Sequence, residues 1–163
     1  MITVPVTPEM LALATARAAS LGQLRNSIES GGGNLAGYLG ELLIESQFDT
    51  VRVDDYDHDL VVAGRRVDVK TKRQASTQPP PLYYEASVAC FNLRQDCDEY
   101  WFCRVSNCYT VGWVCGWLTK AEFRERAVHH VAGSVDPSNN FTFKADCYNV
   151  RYSDLNEVRS GDE

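Results

Sequence analysis

Hydrophobic residues recur on both sides of one glycine, Gly64, and alternate with polar residues after it. The segments 60–62 before it and 67–71 after it both have the composition of β-strands. A two-residue turn at Gly64-Arg65 would join them as a hairpin, because glycine suits the first central position of a type II′ turn. Successive side chains of a strand point to opposite faces, so the pattern predicts a hairpin with one apolar face and one polar face.

The polar face of this hairpin carries two carboxylates and a lysine. In the predicted register Asp59 lies opposite Lys70 and Asp68 shares their face, whereas a three-residue loop would divide the set between the two faces. Asp57 has the same parity as Asp59 and is the alternative first carboxylate. Carboxylate oxygens suit Mg²⁺, and a nearby ammonium stabilises charge on a phosphoryl oxygen. The pattern indicates either a metal site or, as the simpler interpretation, charges that solvate a surface strand.

An amphipathic helix is predicted just before the hairpin, over residues 34–48. Asn34 can cap its N-terminus, and leucines recur on one face with a period of 3.6 residues. Glu41 lies off that apolar face. Gly37 and Gly40 each cost about 1 kcal/mol in a helix interior, which predicts that the helix approaches a neighbouring element closely on the side of Glu41.

The other elements complete one domain over residues 1–163. We expect an N-terminal helix within residues 1–30, with Thr7 as its cap and Pro8 at its first position. A proline-rich loop over 74–82 and a frayed tail over 160–163 are also expected. A short helix should begin at Lys120, preceded by a capping box. Strands are also predicted over 50–54, 83–90, 99–105, 110–117 and 147–152. This order of elements predicts an α/β fold of three layers, with a mixed central sheet flanked by helices.

The spacing of Asp59 and the triplet Asp68-Val69-Lys70, with eight residues between them, resembles the motif of the PD-(D/E)XK nuclease superfamily. This is the fold of many restriction enzymes and Holliday-junction resolvases. Three departures are that His58 replaces the proline of the family name, that the second acid is Asp, and that the spacing is short. The resemblance covers residues 34–73 and implies a small stand-alone member with a restriction-endonuclease-like fold.

The resemblance also implies roles for individual residues. Asp59, Asp68 and the backbone carbonyl of Val69 would bind Mg²⁺, with Mn²⁺ as a substitute. Gly40-Glu41 resembles the Gly-Glu pair in the first helix of the superfamily, whose glutamate reaches the metal directly or through water. Lys70 would position the attacking water. The implied catalytic set is Glu41, Asp59, Asp68 and Lys70, and the implied metal ligands are Asp59, Asp68, Val69 and Glu41.

The function that the resemblance implies is Mg²⁺-dependent, endonuclease-like hydrolysis of phosphodiester bonds in DNA. The alternative is a catalytically silent nucleic-acid-binding module, or a structural or interaction module, that keeps the same fold. Many members of the superfamily act as dimers to cut two strands. A homodimer is therefore compatible with the resemblance, although no interface is legible in the sequence.

The formal net charge of −6 argues against a protein that coats nucleic acid in general. Five cations nevertheless fall within nine residues around Lys70. The other four, Arg65, Arg66, Lys72 and Arg73, are predicted to contact the DNA backbone, which positions DNA without reading its sequence. The alternative interpretation is an edge strand protected by charge.

Cysteines and aromatic residues are predicted to serve the core. The six cysteines include no CxxC pair, so free thiols are expected rather than disulfides or structural zinc. The aromatic residues between 99 and 117 are expected to fill the core rather than to stack on bases. The N-terminus lacks the features of a signal peptide, and no apolar stretch approaches about 18 residues. A cytoplasmic protein that does not enter the membrane is therefore expected.

Overall fold

The computed structural model describes residues 1–21, 32–53, 55–136 and 140–158. Within these ranges the chain forms three α-helices and two β-sheets. The helices are α1 (Pro8–Leu21), α2 (Gly32–Glu45) and α3 (Lys120–Arg126). The strands are β1 (Ile2–Pro5), β2 (Thr50–Arg52), β3 (Leu60–Val62), β4 (Arg65–Gln74), β5 (Glu85–Ala89), β6 (Glu99–Ser106), β7 (Val111–Thr119), β8 (Val128–His130) and β9 (Cys147–Arg151).

The larger sheet has six strands in the order β1-β7-β6-β4-β3-β2. Strands β4 and β6 are parallel, and every other neighbouring pair is antiparallel, so the sheet is mixed. Helices α1 and α2 pack on one face. Helix α3 and a second sheet, in the order β5-β9-β8, cover the other face. The predicted α/β class with a mixed sheet is confirmed, but a small sheet supplies most of the layer that was expected to be helical.

The β3–β4 hairpin turns one residue earlier than predicted. Its turn residues are Ala63 and Gly64, with φ of 47° and 76°, and Val62 pairs with Arg65. Positive φ at both central positions is the type I′ geometry, whose twist matches that of the flanking strands. The predicted type II′ turn at Gly64-Arg65 is therefore wrong. Gly64 occupies the second central position, and Ala63 adopts the strained positive φ of the first central position.

The corrected turn shifts the hairpin register by two residues. Leu60 now pairs with Val67, and continuing the same register brings Asp59 beside Asp68 rather than opposite Lys70. An even shift preserves which face each side chain occupies. The apolar and polar faces of the hairpin are consequently the predicted ones.

Helix α2 begins at Gly32, so Asn34 lies inside the helix and does not cap it. Its predicted apolar face packs on the sheet, with Leu39 and Leu43 fully buried. At Gly40 an added methyl group would overlap the Thr71 side chain on β4 and lie 3.2 Å from Cβ of Cys103 on β6. The predicted close approach is thus confirmed at Gly40.

The N-terminal helix begins where the sequence predicts, and a strand that was not predicted precedes it. Residues Ile2–Pro5 form the edge strand β1, which pairs with β7, and α1 starts at Pro8, the predicted first position. The Thr7 hydroxyl accepts a hydrogen bond from the Met10 N–H at 3.2 Å. The remainder of the predicted helix, from 22 to 30, and the predicted tail over 160–163 lie outside the described residues.

Later elements follow the prediction more closely. Thr119 and Glu122 form the predicted capping box of α3. Strand β4 extends through Gln74, so the proline-rich loop begins one residue later than expected. Strand β8 was not predicted, and β5 belongs to the second sheet rather than to the larger one.

Most of the predicted core residues are buried. The rings of Tyr100, Trp101 and Trp113 lie in the core, as expected for this aromatic segment. All six cysteines are free thiols, and Cys97 and Cys103 are among the buried ones. No helix in the described ranges is long and apolar enough to cross a bilayer.

Replacing Gly40 by alanine should separate α2 from the sheet. The new methyl group would meet Thr71 and Cys103 on two adjacent strands, so we expect Gly40→Ala to lower the free energy of unfolding by about 1–3 kcal/mol. Urea unfolding followed by circular dichroism measures this change.

Gly37→Ala is the matched control, because nothing lies within 4 Å of a methyl group added there. The prediction of close packing is wrong at this glycine. The control should raise stability by up to about 1 kcal/mol through helix propensity. Equal effects of the two substitutions would contradict the close contact at Gly40.

Candidate active site

The site forms where β3 separates from the edge of β4. Asp59 directly precedes β3, and its N–H donates to the Val67 carbonyl at 2.9 Å. One step further along β4, Oδ2 of Asp59 accepts the N–H of Val69 at 2.7 Å. The carboxylate thus accepts the hydrogen bond that a backbone carbonyl of the neighbouring strand would otherwise accept. Because the N–H and C=O of a strand residue point to the same edge, the Val69 carbonyl also faces this opening.

Asp68 and Lys70 lie on the polar face of β4. The Asp68 side chain is buried, and Nζ of Lys70 lies 2.9 Å from its Oδ1 and 2.7 Å from its Oδ2. The second contact is close but poorly aligned, so Oδ2 has no hydrogen bond of good geometry. Burial raises the pKa of Asp68, and the charge of Lys70 opposes that shift.

The carboxylates of Asp59 and Asp68 interact directly. Burial, followed by the charges of Asp68 and then Glu41, raises the pKa of Asp59 to about 8. When two acids share one poorly hydrated site, the pKa of one of them is strongly raised, because ionising both places like charges close together. The site therefore has a deficit of positive charge that Lys70 alone does not remove.

The oxygen atoms available here suit a hard divalent cation that takes few of its ligands from the protein. Asp59, Asp68 and the Val69 carbonyl supply oxygen atoms, and the poorly satisfied Oδ2 of Asp68 is an available ligand atom. Within the described residues no group of three or more His, Cys, Asp or Glu side chains is arranged to hold a metal. Mg²⁺ commonly binds through one or two carboxylates and keeps several waters, so two acids suffice.

Glu41 approaches the site from the helical layer but is held by an arginine. Its buried carboxylate lies 2.6 Å from Nη1 of Arg52, and Nε of Arg52 binds Glu45 at 2.9 Å. Glu41 is close enough for its charge to raise the pKa of Asp59. The structure therefore places Glu41 beside the acid pair as an ion-paired side chain.

Two further residues that the sequence analysis missed lie beside the acid–lysine cluster. Oε1 of Gln95 lies 3.3 Å from Nζ of Lys70, and Nζ of Lys120 donates to the Gln95 backbone carbonyl. The charge of Lys120 also lowers the pKa of Asp68. Gln95 and Lys120 come from segments distant from β4 in sequence, and no local motif marks either one.

Asp57, the alternative first acid, lies outside the cluster. Its Oδ1 accepts the N–H of Asp96 at 3.0 Å. Asp59, by contrast, is bonded to β4 and coupled to Asp68. Local geometry therefore favours Asp59 over Asp57 as the member of the acid pair.

The predicted DNA-contacting cations do not form one surface. Arg66 binds Asp96 at 2.6 Å and Asp98 at 2.9 Å, and these hydrogen bonds raise its pKa. The same contact lowers the pKa of Asp98 to about 2. Arg65 is exposed, and its Nε lies 3.9 Å from the Glu99 carboxylate. At roughly 3.3 Å per residue, Arg65 and Arg66 lie about 23 Å along β4 from Lys72 and Arg73, respectively, near the far end of the strand.

Lys72 and Arg73 occupy that far end of β4. Nζ of Lys72 donates to the Glu85 carbonyl at 3.0 Å beneath the second sheet. Burial and the charge of Arg104 lower the pKa of Lys72 to about 8. Arg73 is exposed. Arg65 and Arg73 are thus the exposed cations of the set, whereas Arg66 and Lys72 are partly buried.

The interpretation of the site rests on the contacts described above. No protein-family model matches the chain, and no curated protein matches it.

The acid pair predicts how stability depends on pH. Asp59 has an ordinary pKa of 3.8 and a folded pKa of about 8. Between these values the folded protein holds a proton that the unfolded chain has lost, so its free energy of unfolding should fall as pH rises. Asp59→Asn removes this titration, while its amide oxygen can still accept the Val69 N–H. We expect a flatter pH profile and greater stability than wild type near pH 8.

Asp57→Asn is the control for this titration, since it removes a carboxylate of the same segment outside the cluster. Its stability should decline between pH 4 and 8 as steeply as that of wild type. Urea unfolding at several pH values gives both slopes. A wild-type profile that rises over this interval would contradict the raised pKa.

Proposed function

We propose that this chain is a metal-dependent nuclease that hydrolyses phosphodiester bonds in DNA, with a restriction-endonuclease-like fold. The observation that carries the proposal is the pairing of Asp59 with Asp68 at an open strand edge, with Lys70 bound to the second acid. The order α2, β2, β3, β4 supports it. It is the order of helix, strand, acid-bearing strand and lysine-bearing strand that the PD-(D/E)XK resemblance implies.

Each group has a role that its position allows. Asp59, Asp68 and the Val69 carbonyl would bind Mg²⁺ or Mn²⁺, which would supply a Lewis acid and a bound water of lowered pKa. Lys70 would orient the attacking water and stabilise charge on the phosphate. Glu41 would contribute negative charge at the rim of the metal site, and its ion pair with Arg52 would offset part of that charge.

A catalytically silent module with the same fold is the second candidate. The ion pair between Glu41 and Arg52 favours it, because this pairing competes with a role for Glu41 at a metal. The engagement of Arg66 by Asp96 and Asp98 also reduces the positive surface near the site. Cleavage assays distinguish the two candidates.

Hydrolysis should require Asp68 and Lys70. We expect cleavage of linear, supercoiled, branched or single-stranded DNA with Mg²⁺ or Mn²⁺, and none with a chelator. Asp68→Asn and Lys70→Met should each lower the rate at least about a hundredfold, because each removes a group that binds the ion or the developing charge. Gel electrophoresis of labelled substrates measures the rates.

Asp57→Asn is the matched control for these variants and should cleave at the wild-type rate. If Asp68→Asn cleaved as fast as wild type, the site assignment would be wrong even though the activity was real. Failure to hydrolyse any of these DNA forms with either metal would reject the enzyme and favour the silent module.

Binding of the ion should be visible without any substrate. A cation bound only by the folded protein raises stability by about 2.7 kcal/mol at one hundred times its dissociation constant. We therefore expect Mn²⁺ or Mg²⁺ to raise the melting temperature of wild type at pH 8, but not that of Asp68→Asn. Differential scanning calorimetry measures the shift, and an equal shift in both proteins would place the ion elsewhere.

A further inference from the structure

Tyr56 presents an exposed aromatic ring at the border of the candidate site. Its side chain is 69% exposed, in contrast to the buried rings of Tyr100 and Trp113. Within the described part of the chain, no aromatic ring or cation stacks on it. Exposed aromatic rings are common on protein surfaces, so exposure alone does not indicate a binding site.

The backbone beneath this ring is fixed by hydrogen bonds. Oδ1 of Asp55 accepts the N–H groups of Asp57 at 2.7 Å and His58 at 2.9 Å. The carbonyl of Tyr56 accepts a hydrogen bond from Nε2 of Gln95 at 2.7 Å. The ring therefore stands on an ordered loop, which reduces the entropy that a ligand would lose in binding to it.

Gln95 also connects Tyr56 to the proposed catalytic lysine. The same side-chain amide donates to the Tyr56 carbonyl and lies 3.3 Å from Nζ of Lys70. Phe91, which is 38% exposed, lies on the short 3₁₀ helix just before Gln95. Tyr56 and Phe91 thus belong to the two segments that meet at Gln95, beside the place where a phosphate would contact Lys70.

The charge around Tyr56 limits what can approach it. Asp55 is half exposed and the Asp96 side chain is 72% exposed. Arg66 is already bound by Asp96 and Asp98. Duplex DNA carries two phosphate backbones, with one charge per about 1.7 Å of its axis. The acidic rim formed by Asp55 and Asp96 would repel the second backbone. A single strand can direct one phosphate to Lys70 and an uncharged base face to the rim.

We infer that the substrate presents unpaired nucleotides at the site and that Tyr56 stacks on the base beside the hydrolysed phosphodiester. This inference rests on the proposed nuclease function and specifies its substrate class as single-stranded segments. Stacking of bases on aromatic side chains is tolerant of sequence and is how many proteins hold single strands. Tyr56 is therefore a specificity-determining residue and takes no part in the chemical step.

Binding to single-stranded and duplex DNA tests the inference. Fluorescence anisotropy with labelled oligonucleotides of equal length, with Ca²⁺ in place of Mg²⁺, gives affinities without a need for turnover. Wild type should prefer the single strand. Tyr56→Ala should weaken single-strand binding about tenfold or more, as expected for loss of one stacked base, and should leave duplex binding unchanged. Tyr56→Phe should keep the wild-type affinity.

Tyr83→Ala is the matched control, because Tyr83 is 68% exposed but lies on the loop before β5. It should bind single strands as wild type does. Preference of wild type for duplex DNA, or equal single-strand affinity of Tyr56→Ala and wild type, would overturn the inference. An equal loss in Tyr56→Ala and Tyr83→Ala would overturn it as well.

Parallel cleavage assays separate this inference from the function on which it rests. If duplex DNA is cleaved in an Asp68-dependent manner and Tyr56→Ala changes nothing, the nuclease proposal stands and the substrate class is wrong. If wild type neither binds nor cleaves any DNA, both are rejected. Loss of single-strand cleavage in Tyr56→Ala through a raised KM, with kcat retained, supports the stacking role.

Discussion

The hydrogen bond from the Val69 N–H to the Asp59 carboxylate is the contact on which the rest of the site depends. Strand β3 leaves β4 at this point, and the carboxylate satisfies a backbone group that would otherwise lose its partner. The same bond brings Asp59 against Asp68, whose other neighbour is Lys70. One local feature therefore completes the strand edge, gathers two acids and leaves the adjacent Val69 carbonyl directed toward them.

Burying two acids side by side lowers the stability of the fold. Burial and the charge of Asp68 raise the free-energy cost of ionising Asp59, and the raised pKa of Asp59 expresses that cost. Lys70, Lys120 and Arg52 offset part of the negative charge without entering the space between the acids. Perturbed carboxylates of this kind tend to occur at functional positions, which is consistent with the metal site proposed above.

Local patterns accounted for much of the fold and for the membership of the acid cluster. Side-chain alternation placed Asp59, Asp68 and Lys70 on one face, and this result survived an incorrect turn because the register moved by an even number of residues. The capping box at Thr119 involves neighbours three residues apart, so its chemistry is legible in the sequence. The close packing at Gly40 was also predictable, because glycine is costly in a helix without such a reason.

The sequence by itself thus determined the alternation of faces, the helix bearing Glu41 and the set of candidate acids. Only the tertiary structure decided which partners those groups have. Arg52 reaches Glu41 from β2, Gln95 reaches Lys70 from beyond the hairpin, and Lys120 binds the backbone of Gln95. The second sheet was likewise decided by pairing between strands far apart in the chain. The physical reason is that periodicity reports on neighbours along one element, whereas charge compensation depends on contacts between elements that no local pattern encodes.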